Sequence, residues 1–98
     1  MLSEKNIENI NSGKTRGYSV EKIINNINYF LEYAIKKSEG EYICYFFSIP
    51  CDQMDVMEDS ESDAKIERFE SLEEALKFIQ INGGEFDRFS AFKGVKPI

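Results

Sequence analysis

The sequence predicts an α+β domain: a small antiparallel sheet of about three strands with two helices packed on one face, in the order α-β-β-α-β. Three observations lead there. Apolar residues recur at helical spacing from Val20 to Ile35, a two-faced apolar run spans Glu41 to Ile49, and a capping sequence precedes a second apolar stripe at Ser71. The chain of 98 residues is 42% hydrophobic, with eight Phe and five Tyr. That supplies one core and excludes the disordered class.

Residues 1 to 18 are polar, with Leu2, Ile7 and Ile10 as scattered apolar positions. They read as a flexible N-terminal arm or a weak first helical turn, and residues 19 to 98 as a single α+β domain. Val20, Ile23, Ile24, Ile27, Phe30, Leu31, Ala34 and Ile35 form a broad stripe at helical period. Ser19 stands as N-cap, Tyr18 as a staple against Ile23, Lys36 and Lys37 in the last turn, and Gly40 just beyond. A helix is expected over this segment.

Glu41 to Ile49 alternates Tyr42, Cys44 and Phe46 with Ile43, Tyr45, Phe47 and Ile49. A strand that is apolar on both faces is expected to be covered on both sides, and Pro50 ends it. Ala64 to Phe69 reads as a second, more polar strand. Ser71 with Glu74 three residues on forms a capping box, and Leu72, Ala75, Leu76 and Ile79 give its helix an apolar side, closed by Gly83-Gly84. A short third strand is expected over about Arg88 to Lys93, with Phe86 anchoring its entry.

The formal net charge is −6. Asp52, Asp55, Glu58, Asp59, Glu61 and Asp63 lie in a stretch without Lys or Arg, and without them the chain holds 12 acidic and 12 basic residues. The net charge therefore traces to one segment, which argues against direct binding of nucleic acid. Met54, Val56 and Met57 are interleaved with these acids. Adaptable apolar side chains inside a negative field suit a basic protein surface.

Other motifs fail on physical grounds. Gly13-Lys14-Thr15 resembles the end of a phosphate-binding loop, but position 8 is Glu where that loop needs glycine, and no strand is expected before it. Asp59, Glu61, Asp63, Glu67 and Glu70 match the ligand spacing of an EF-hand, yet Ala64 stands where the sharp turn needs Gly. No metal or other cofactor is expected. The chain has no His, hence no imidazole base and no Ser-His or Cys-His pair, and Cys44 and Cys51 fit neither a zinc site nor a disulfide framework. No enzyme is expected, and the absence of any long apolar run points to a cytoplasmic protein with no membrane partner.

The leading expectation is a non-catalytic protein-binding inhibitor. Its acidic segment, with Asp52, Met54, Asp55, Met57, Glu58, Asp59, Glu61 and Asp63 as the partner-binding residues, would occupy a basic active site such as that of a nuclease toxin. In size and charge the chain looks like bacterial toxin-immunity proteins, which are diverse in fold, and its Asn, Ile and Lys usage suits an AT-rich bacterial or phage genome. The alternative is a regulatory or subunit-type domain that self-associates as a homodimer through its aromatic strand. A third reading is a minor enzyme using carboxylates or Cys44.

Overall fold

A computed structural model describes residues 2–52 and 64–92. The class is α+β, but the sheet has five strands, not three. The order is α1 (Glu4–Asn11), β1 (Arg16–Ile24), β2 (Ile27–Ser38), β3 (Glu41–Pro50), β4 (Lys65–Phe69), α2 (Leu72–Ile81), a 3₁₀ turn (Phe86–Arg88) and β5 (Ser90–Ala91). The strands lie in the spatial order β4-β3-β2-β1-β5, each antiparallel to its neighbour.

The largest correction falls on residues 19 to 37. The expected helix is instead the hairpin of β1 and β2, with Tyr18 opposite Tyr33, Val20 opposite Leu31 and Ile24 opposite Ile27. Five of its residues, Val20, Ile23, Ile24, Ile27 and Ile35, are β-branched, and Tyr29, Phe30 and Tyr33 are aromatic. Such side chains lose rotamer freedom against a helical turn and pack well on a pleated surface. The decisive feature is Asn25-Asn26, whose φ angles are 51° and 68°. Two consecutive left-handed residues make a type I′ turn, whose twist matches that of the flanking strands, and Asn tolerates that conformation better than most residues.

Glu39 and Gly40 make the second tight turn, with φ of 55° and 81°, between Ser38 and its partner Glu41. Gly40, expected to stop a helix, therefore turns one strand into the next. The arm expected over residues 1 to 18 contains α1, capped by the Ser3 hydroxyl accepting from the Asn6 N–H at 3.2 Å, and the start of β1. The expected third strand near the C-terminus shrinks to Ser90–Ala91.

Both helices cover one face of the sheet. There Ile10 of α1 and Ala75 and Ile79 of α2 join Tyr18, Leu31, Tyr33, Ile35, Tyr42 and Cys44, all buried. Ser71 caps the helix as the sequence reads it, accepting from the Glu74 N–H at 3.2 Å, while the Glu74 carboxylate reaches back to accept from the Ser71 hydroxyl at 3.2 Å. Each buried tyrosine in this core keeps a polar partner, as burial of a hydroxyl requires. Tyr33 donates to the Asn82 carbonyl at 2.8 Å, Tyr42 to Asn11 Oδ1 at 2.6 Å, and Tyr18 accepts from the Glu85 N–H at 2.8 Å. Tyr18 also stacks on Tyr33 at 5.1 Å between ring centres.

Gly17 allows β1 to approach β2 closely, since a β-carbon there would overlap the Tyr33 carbonyl. On the opposite face a second cluster forms from Ala34, Tyr45, Phe47 and Ile49, with Phe30, Ala64 and Phe92 packed against it. β3 is thus buried on both faces, as its two-sided apolar pattern requires. Glu32 sits half-buried on this second face, where burial pushes its carboxyl above the usual range and a hydrogen bond from Tyr45 partly offsets the rise.

Candidate protein-binding surface

The β1–β2 hairpin extends beyond the helices that cover its base. Every residue from Glu21 to Asn28 is exposed. Among the described residues five large apolar side chains are exposed, all isoleucine, and three of them are here: Ile23 (72% exposed), Ile24 (39%) and Ile27 (47%). Ile24 and Ile27 form a cross-strand pair on one face of the tip and Ile23 lies on the other, which makes this protruding end a candidate interaction surface.

On the helix side of the sheet, α2 ends at Ile81 while β1, β2 and β3 continue. The step leaves a groove of about 290 Å³ whose floor is Tyr29, Leu31, Tyr33 and Phe46. Lys22, Ile24 and Ser48 form its sides, and Asn82 and Gly83 its inner wall. The Tyr33 hydroxyl is committed to Asn82, so the polar groups left for a ligand are at the rim. An aromatic floor with a polar rim takes up an apolar side chain or a small apolar molecule.

The other side of the tip is acidic. Glu21 Oε1 accepts from Asn28 Nδ2 at 3.1 Å and from the Cys51 thiol at 3.5 Å. Asp52 is exposed and follows immediately. Desolvation, then the carboxylates of Glu21 and Asp52, raise the Cys51 thiol above its ordinary pKa. Cys44 is pushed up to about 12 by burial, and its thiol donates to the Ala75 carbonyl at 3.5 Å. Both sulfurs are therefore protonated thiols at neutral pH, the unreactive form.

Of the residues expected to bind a partner, Asp52 is placed at this tip. Met54, Asp55, Met57, Glu58, Asp59, Glu61 and Asp63 lie outside the described residues. Both anchors of that segment are nevertheless defined. β3 delivers Pro50 opposite Tyr29, next to the hairpin tip, whereas β4 begins at Lys65 opposite Phe46, which pairs with Tyr33 in the middle of the sheet. The acidic stretch therefore departs from the end that carries the exposed isoleucines and rejoins the sheet nearer its middle.

The other motifs gain nothing from the fold. Gly13-Lys14-Thr15 follows a helix and precedes a strand, the reverse of a phosphate loop. Glu67 lies on β4, a strand, where an EF-hand would still be loop. Among the described residues no group of three or more acidic or Cys side chains is placed to hold a metal ion, and no helix is long and apolar enough to cross a membrane. Compared with known proteins, the chain matches no family model, no curated protein and no solved structure.

The isoleucines of the tip escaped sequence reasoning because helical spacing assigned them to a buried stripe. The signal that exposes them is Asn25-Asn26 between two runs that alternate, Tyr18, Val20, Lys22, Ile24 and then Ile27, Tyr29, Leu31, Tyr33, Ile35.

Proposed function

We propose that this chain is a non-catalytic protein-binding inhibitor of the toxin-immunity kind, which neutralises a basic partner such as a nuclease toxin. One observation carries the reading: Glu21 and Asp52, the first residue of the acidic stretch, lie at the same end of the sheet as the exposed isoleucines. Carboxylates steer a basic partner and set its orientation, while apolar anchors supply the affinity that charge alone does not. The buried, protonated Cys44 supports a binding role over a nucleophilic one.

Affinity capture at low salt tests the proposal. The expected catch, identified by mass spectrometry, is a basic protein that elutes as ionic strength rises, because screening weakens attraction between exposed charges. Charge reversal at Asp55, Glu58 and Asp59 is expected to abolish capture. Capture that survives this reversal removes the acidic segment from the interface. A concentration-dependent homodimer in sedimentation, with no basic partner caught, favours self-association instead.

A further inference from the structure

β1 is paired with β2 along its whole length, but on its other side only Arg16 and Gly17 are paired, with Ala91 and Ser90 of β5. From Ser19 to Ile24 its outer edge has no strand beside it among the described residues. The two-residue turn makes Ile24 and Ile27 a hydrogen-bonded pair. By alternation Val20, Lys22 and Ile24 bond to β2, and Ser19, Glu21 and Ile23 turn their N–H and C=O groups outward. Such a row is a template for another strand.

We propose that the basic partner docks here, adding an extended segment to β1 as a further strand. The inference rests on the inhibitor reading and names its docking mode. The two faces of the edge specify the segment's chemistry. On one face Glu21 lies beside Cys51 and Asp52, where the acidic stretch begins, so side chains there are basic. On the other face Lys22 and Ile24 border the aromatic groove, whose volume of about 290 Å³ holds one large apolar side chain. Backbone pairing supplies affinity, and alternate side chains, basic on one face and apolar on the other, supply selectivity.

Other occupants fit less well. A second copy pairing through all three outward residues sets Glu21 directly against its own copy, and the next register sets Lys22 against Lys22. Like charges directly opposite are destabilising. The chain's own C-terminal strand runs the other way, bringing the Phe92 N–H to the Thr15 carbonyl at 3.4 Å, away from the bare stretch.

The test uses the full chain, isotope-labelled for NMR, and a short capped peptide that alternates lysine with valine and phenylalanine. Binding is expected to shift the amides of Ser19, Glu21 and Ile23 and slow their hydrogen exchange, with much smaller changes at Val20, Lys22 and Ile24. Glu21→Pro removes one outward N–H while leaving the β1–β2 ladder bonds in place, a position where edge strands accept proline. It is expected to weaken the peptide at least ten-fold. Glu21→Lys keeps the backbone and is expected to weaken it by a smaller factor while reducing the salt dependence, which decides the matter if the proline variant does not fold. A peptide with the same composition but lysines and apolar residues in separate blocks is expected to bind poorly. Equal binding of that peptide, or shifts confined to other residues, overturns the proposal. If the edge fails but acid-sensitive capture of a basic protein persists, the inhibitor reading stands and only this docking mode falls. If the edge binds and no basic protein is captured, the inhibitor reading falls.

Discussion

The two halves of the β1–β2 hairpin share a strand, a register and an alternating apolar pattern, yet one half is core and the other is surface. At the base, Tyr18, Leu31, Tyr33 and Ile35 are buried under α1, α2 and Phe89. At the tip, Ile23, Ile24 and Ile27 face solvent. The difference comes from the lengths of the elements: β2 has 12 residues and α2 only 10, and a helix advances less than half as far per residue as a strand. Apolar residues beyond the reach of the helices stay in contact with solvent.

The base is where substitutions cost most. Tyr33→Ala removes a ring buried against Tyr18 and Phe46 and is expected to cost about 3–5 kcal/mol, read as a lower urea midpoint. Gly17→Ala forces β1 away from the Tyr33 carbonyl and is expected to cost roughly 1–3 kcal/mol in the same assay.

Alkali attacks the same half. Burial pushes Tyr33 from its ordinary 10.0 up to about 12 and Cys44 from 9.0 up to about 12. Both groups are protonated in the fold and ionise more easily in the unfolded chain. Their contribution is complete below about pH 9 and is lost as pH rises toward 12. Urea midpoints measured across this range are expected to fall, and Tyr33→Phe is expected to flatten the part of the decline between 10 and 12.

The turn and the tip sharpen the contrast. Asn26→Ala places an alanine at φ 68° and is expected to cost about 1 kcal/mol, whereas Asn26→Gly is expected to leave stability unchanged or raise it slightly. Ile23→Ser is expected to change stability by less than about 0.5 kcal/mol, because that side chain is 72% exposed. Its effect is expected in partner capture instead. A large loss of stability from Ile23→Ser would mean that the tip belongs to the core after all.

The parts legible in the sequence are those whose signals are local. Ser71 and Glu74 mark the start of α2 because a capping box is built within a single turn. The apolar residues on both sides of β3 announce a strand covered on both faces. The acidic stretch is visible as composition, and with it Asp52 at the candidate surface. The hairpin was not legible from spacing, because Val20, Ile24, Leu31 and Ile35 satisfy a period of 3.6 as readily as they satisfy two alternating runs joined by a turn.

By itself, then, the sequence determined the α+β class, the capped helix α2, the two-faced strand and the position of the net charge, since each depends on neighbours along the chain. Tertiary structure decided that residues 19 to 37 are a hairpin, that the sheet has five strands, and that Asp52 lies at the end that carries the exposed isoleucines. Those outcomes depend on what each face of the sheet packs against, and residues as distant as Ile10, Tyr33 and Ile79 settle them together.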